Sequence, residues 1–293
     1  MTAKPAARRR PIVVGLDGSE ADTAAVEWAT DEAGRRGAAL RLVYAQDLPS
    51  WVARDARLRA RVTENAEART AELFRWARDT VRERDAEVAT ESRLEWGTAA
   101  GVLLNAAREA SLVVVGAAQR EEHHIALRPV ASQVAARAPC PVVVAHEAEG
   151  SSPDGKVVVG VDGSSASERA VGFAFEEAQY RATGVVALLA WGYELAVWPM
   201  VPEEGGSQRD LAAAALAESV AGWRERYPDV PLEQRVVPSQ PVRALLDVAP
   251  EAALLVVGSH GRGWFPGLLP GSVSNALVRR SSVPLAVVPA NQG

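Results

Sequence analysis

Two tandem α/β domains, each an open five-stranded parallel sheet, are what this 293-residue sequence predicts. The first observation is a repeat: "PIVVGLDGSE" at 11–20 returns as "KVVVGVDGSS" at 156–165. The second is a series of short Val- and Leu-rich runs without polar alternation, the mark of parallel strands buried on both faces. The third is the amphipathic or charged helical stretch between successive runs, which makes each strand–helix–strand unit a right-handed crossover.

Both halves carry their landmarks in the same order. "ALRLVYAQD" pairs with "VVALLAWGY", "ASLVVVGAA" with "AALLVVGSH", and "APCPVVVAH" with "SSVPLAVVP". In the first half, a helical pattern from Ser19 closes on Gly37, a long charged one runs over 62–84, and a shorter one lies over 98–110. The stretch from Arg54 to Arg84 mixes signs at helical spacing, which predicts an exposed face. The polar, Gly/Pro/Ser-rich segment around 146–156 is the expected boundary. It gives domains at 1–147 and 156–293 with a linker at 148–155, of ordinary size.

Composition narrows the function. Hydrophobic residues make up 48% and charged residues 24%, as in a globular protein with a core. A net charge of −5 without a long basic stripe argues against nucleic-acid and membrane-surface partners. The single cysteine, Cys140, excludes an intrachain disulfide and a Cys-based metal site. No apolar run reaches the ~20 residues of a membrane span and no secretory segment follows the basic N-terminus, so the expected location is cytoplasmic.

The chemistry concentrates at the carboxyl ends of two strands in the second half, where open parallel sheets bind ligands. The first strand ends at Val161 and delivers Asp162, Gly163 and Ser164 ahead of a helix; a plain helix cap is the alternative reading. The fourth ends at Val257 and Gly258 and opens into "GSHGRGWFPGLLPGSVSNAL" over 258–277. Glycines here admit close approach to bare backbone, and amides at a helix start suit phosphate. The hydroxyls of Ser272 and Ser274 are further candidate donors. A Walker motif and a G-x-G-x-x-G after strand one are both absent. A ligand-free glycine turn is the competing reading. Trp191, Tyr193 and Trp198, with Trp264 and Phe265, are candidates for a pocket rim or for packing under a loop. The adjacent His123 and His124 lack a third ligand at metal spacing.

With these residues in place, the chain resembles a tandem universal stress protein, carrying that family's nucleotide pattern G-x2-G-x9-G-(S/T) at Gly258, Gly261, Gly271 and Ser272. The resemblance implies Rossmann-like, adenine nucleotide alpha hydrolase-like domains of strand order 3-2-1-4-5. It implies ATP, with Mg2+, as the ligand. Asp162 would lie near the ribose and metal, the backbone around Ala190 against the adenine, and His260, Gly261, Arg262 and the segment Gly271, Ser272, Val273 and Ser274 on the phosphates. It also implies a homodimer through the last strand of each domain and a protein partner that reads the nucleotide state.

The first half departs from the pattern. Gln119, Pro129 and Val130 stand where Gly261, Gly271 and Ser272 stand in the second, and only Gly116 survives. Proline removes an amide donor and the neighbouring Glu121 and Glu122 repel phosphate. ATP is therefore expected mainly in the second domain, despite Asp17 in the first, where a helix cap is the favoured reading. No nucleophile–base pair stands at recognisable spacing, so binding and signalling are expected rather than turnover, with weak ATP hydrolysis as the most an enzyme reading allows. An adenylate-forming enzyme and a ligand-free interaction module are the rivals.

Overall fold

The computed structural model describes residues 9–48, 52, 54–117, 129–146, 155–191, 208–259 and 271–290. The first domain runs β1 (Ile12–Leu16), α1 (Ala21–Arg36), β2 (Leu40–Gln46), α2 (Ala56–Arg84), β3 (Thr90–Trp96), α3 (Ala99–Ala106), β4 (Leu112–Gly116), α4 (Val130–Arg137) and β5 (Val142–Ala145). The second repeats it with β6 (Lys156–Gly160), α5 (Ser165–Tyr180), β7 (Val185–Trp191), α6 (Gln208–Arg226), β8 (Leu232–Pro238), α7 (Pro241–Val248), β9 (Ala252–Gly258), α8 (Ser272–Arg280) and β10 (Leu285–Val288).

Each element has a local cause. Gly37 closes α1 in the left-handed region at φ 58°, as only a residue without Cβ does cheaply. The long α2 begins before the charged pattern read from sequence, because the Asp55 carboxylate accepts the Arg57 and Leu58 N–H groups and caps it. Its buried positions, Ala66, Thr70, Phe74, Ala77 and Val81, recur every three or four residues, so one stripe packs and the mixed-sign remainder faces water. In β1, Ile12 and Val14 enter the core on one face of the sheet and Val13 the core on the other.

Within each half the strands pair in parallel in the expected order 3-2-1-4-5. The halves do not remain separate sheets. Antiparallel pairing of β10 with β5, with Ala286 opposite Val143, joins them into one ten-stranded sheet. The last strands, through which a homodimer was expected, are here paired with each other within one chain. β5 lies between β4 and β10, and β10 between β5 and β9, so neither strand keeps an open edge for a second chain.

A buried ion cluster reinforces the same junction. Glu32 and Arg36 on α1 occupy the repeat positions of Glu177 and Arg181 at the end of α5, and both glutamate side chains are fully buried. Arg36 meets Glu32 and Glu177, while Arg181 reaches Glu32 at 2.8 Å and Glu177 at 3.1 Å. Each guanidinium also lies over an aromatic ring of the other domain, Arg36 over Phe173 and Arg181 over Trp28, at 5.7 and 5.5 Å.

Candidate functional site

β6 leads at its carboxyl end into Val161 and Asp162. Val161 is buried, and its N–H donates to Leu188 O at 2.8 Å. Side chains and backbone bonds alternate along a strand, so Ala190, two residues on, turns the same backbone edge toward a gap where β6 has already ended. This is the edge the adenine reading requires. Trp191 follows, with an indole Nε1 that is buried and has no hydrogen-bond partner among the described residues.

Asp162 shapes the turn into α5. Its Oδ1 accepts the Ser164 N–H at 3.0 Å, and its own N–H donates to Ser167 Oγ at 3.1 Å. Ser164 caps α5 by accepting the Ser167 N–H at 3.1 Å. Between them Gly163 takes φ 73°, and its N–H has no partner among the described residues.

Two glycines of the loop have different jobs. A Cβ on Gly258 would stand 2.9 Å from the carbonyl carbon of Ala166, so this glycine lets the start of α5 press on the end of β9 beside the buried Val257. Gly116 is in the same position against Ala21. The glycine that survives in the first half is therefore the one whose role is packing. Gly271 is different: it precedes α8 in the left-handed region at φ 76° with no side-chain cap. The amides of Ser272, Val273 and Ser274 come before the first intrahelical bond, Asn275 N–H to Gly271 O at 3.0 Å.

Ser274 stands differently from the sequence expectation. Its side chain is buried, and Oγ donates toward Ser259 O and Gly271 O at 3.3 and 3.1 Å, bracing the two ends of the loop. Its counterpart Ser132 is also buried, but its Oγ has no partner among the described residues. His260, Gly261 and Arg262, together with Tyr193, Trp198, Trp264 and Phe265, lie outside the described residues, as do Gln119, Glu121, Glu122, His123 and His124.

The first domain carries a substitution that motif reading passed over. Asp22 occupies the repeat position of Ser167 and is only 2% exposed. Its carboxylate accepts the Asp17 N–H at 3.2 Å and the Gly18 N–H at 2.8 Å, so a built-in anion takes the amides that the second domain leaves to Ser167 or unpartnered. Burial pushes the Asp22 carboxyl up to about 6, against the Gly18 N–H, and the charge of Asp17 adds to the rise. The signal was in the alignment of "LDGSEAD" with "VDGSSAS", five residues beyond each glycine-flanked aspartate. Asp17 itself accepts the Ser19 N–H at 2.9 Å within the turn; the helix cap expected of it is not formed, since α1 has Glu20 as its N-cap and no side-chain cap. Pro129 precedes α4 at φ −50° and supplies no N–H.

Comparison with known proteins bears on both halves. The universal stress protein family matches residues 8–146 and again 155–289. A universal stress protein of Mycobacterium tuberculosis strain H37Rv is 35% identical over 288 residues, covering 96% of this chain and 97% of that protein. One from Mycolicibacterium smegmatis is 37% identical over 287 residues, covering 94% of this chain and 96% of its own. The crystal structure of a universal stress protein from Archaeoglobus fulgidus aligns over 98% of this chain and 100% of its own at TM-score 0.70 and 19% identity, a likeness of fold. The chain, with its two α/β repeats, belongs to the universal stress protein family in tandem form.

Proposed function

We propose that this protein is a nucleotide-dependent stress-response and signalling module that binds ATP in its second domain. The observation that carries the reading is the contrast at one repeat position. Where Ser167 offers a neutral hydroxyl to the Asp162 amide, Asp22 places a buried carboxylate on the Asp17 and Gly18 amides. The second-domain turn thus keeps the Gly163 N–H for an incoming anion. Across from it, Gly271 leaves the leading amides of α8 without a side-chain cap. In the first domain the equivalent places hold a carboxylate and a proline, and both disfavour phosphate.

The residues present fit the nucleotide by donor chemistry. The uncapped amides of Ser272 and Val273 would hold phosphate, and the Ala190 backbone edge would face the base. Ser274 acts at one remove, by fixing Gly271 against Ser259. Mg2+ fits a single carboxylate supplemented by phosphate oxygens and water, and Asp162 would be that carboxylate, its Oδ1 accepting the Ser164 N–H and its Oδ2 facing the metal's place. The reading is one of binding and signalling to a protein partner from a cytoplasmic location.

Calorimetric titration of Mg-ATP tests it. Affinity falls at least tenfold in Gly271→Pro and stays within twofold in Pro129→Gly. Equal effects of the two changes, or no ATP binding by the parent protein, would reject the reading, the second outcome in favour of a ligand-free module.

A further inference from the structure

A second candidate site lies between the two domains. Between the underside of the first domain, where β5 begins, and the outer faces of α5 and α6 in the second, the chain encloses a cleft of about 1380 Å3. Arg10, Arg108 and Arg137 of the first domain line it from one side, Arg169 and Arg226 of the second from the other, with Arg36 at its floor. Arg36 is neutralised in the interdomain ion cluster. The other five have no carboxylate partner within 4.0 Å among the described residues, and the lining offers only Glu168 and Glu176 against them. Among the described residues, an excess of three positive charges therefore converges in one cavity of a chain whose net charge is −5.

Helix ends account for part of this and not for the rest. Arg137 and Arg226 sit in the last turns of α4 and α6, where a cation offsets the helix dipole, and α8 likewise ends on Arg279 and Arg280. The remaining three have no such counterpart. The strand registers superpose Ile12 on Val157 and Leu112 on Leu254. Arg10, Arg108 and Arg169 then correspond to Gly155, Pro250 and Ala24. The repeat would place arginines at these three positions as well if packing alone dictated the lining, and it does not.

One of the cations is held ready without losing its charge. A Cβ on Gly172 would stand 2.4 Å from the Trp223 ring, so the glycine seats that indole against α5. Trp223 stacks with Tyr227 at 6.3 Å, and the Arg226 guanidinium lies over both rings at 5.6 and 5.7 Å. A cation–π contact orients a guanidinium while leaving its N–H groups available, and guanidinium forks match phosphate oxygens.

We propose that this interdomain cleft binds a small phosphate-rich polyanion carrying three or more negative charges, with arginines of both domains on the same molecule. Occupancy then bridges the two repeats through lining residues other than those of the glycine loop.

The test is calorimetric titration with inorganic tripolyphosphate, which has no base, on the parent protein, Arg108→Glu/Arg169→Glu and Gly271→Pro. Both arginines are solvent-exposed, and thermal melts of the double variant, with Arg108→Gln/Arg169→Gln beside it, confirm the fold. The proposal expects saturable binding by the parent that weakens as salt rises, an affinity at least tenfold lower in the charge-reversed variant, and no change in Gly271→Pro. It is overturned by three results: no binding by the parent, binding indifferent to the arginines, or binding lost only in Gly271→Pro, which would put the polyanion in the nucleotide loop. Binding of poly-glutamate without tripolyphosphate would overturn it too, in favour of an acidic protein partner.

Discussion

Arg181, at the end of α5, reaches Glu32 in the middle of the first domain's second helical turn pair at 2.8 Å, across 149 residues of sequence. With Arg36 and Glu177 the contact joins two buried carboxylates to two guanidinium groups, and Arg35 adds a third, more exposed one at 3.6 Å from Glu32. Burial resists the charging of both glutamates, and for Glu32 the Arg181 and Arg36 charges outweigh it and hold the carboxyl low. Burial and the Glu32 charge raise Glu177. The two acids share their cations, so the pair gives up one proton more readily and the other less readily than a free glutamate.

Removing Arg181 leaves two buried carboxylates to share Arg36, with only the more exposed Arg35 beside Glu32. Arg181→Met is expected to cost about 3–5 kcal/mol in denaturant unfolding. Because protonation of a glutamate relieves the unbalanced charge, the loss is smaller at pH 5 than at pH 8. A loss that does not vary with pH would place the effect in packing on Trp28 instead.

The two packing glycines predict matched effects. Gly258→Val and Gly116→Val each drive a side chain into the start of a helix, at the Ala166 and Ala21 backbones, both 2.9 Å from a Cβ at the carbonyl carbon. Each is expected to lower stability by about 1–3 kcal/mol. Thermal melts of the two variants check this, and a large effect in one domain alone would contradict the shared role.

At Asp22 the sign follows from its raised carboxyl. The folded state favours the neutral form, so the stability this adds is present below the unfolded value of 3.8 and is lost as pH rises through about 6. Asp22→Ser, which copies the second domain, removes that dependence. Between pH 3.5 and 7 the stability difference is expected to move in the variant's favour by up to about 3 kcal/mol. Parallel stability curves for variant and parent would contradict it.

Much of this was legible in the sequence. The repeat and the alternation of strands and helices follow from buried apolar runs and their spacing, because those signals are local, whereas the strand order came from the family resemblance. The joining of β5 to β10 was not, since an apolar run states that a strand is buried and leaves its second neighbour open. "EAGRR" and "EAQYR" stand 145 positions apart at 32–36 and 177–181, and only the folded chain shows that their charges meet across a symmetric junction. At the site, Gly258 and Gly271 look alike as letters. Their separation into a packing glycine and a left-handed turn needs the Ala166 contact and the positive φ. Asp22 was passed over because an acidic residue in the first turn of a helix is ordinary, and its burial is not written in its neighbours.

The central claim is that one of two repeated pockets binds ATP, and its most direct test is the stoichiometry of Mg-ATP binding by calorimetry. Run in the Arg108→Glu/Arg169→Glu background, it is free of the cleft's contribution. The account predicts one ATP per chain, abolished when Gly271→Pro is added. Two ATP per chain, or a single site that survives Gly271→Pro, would contradict it.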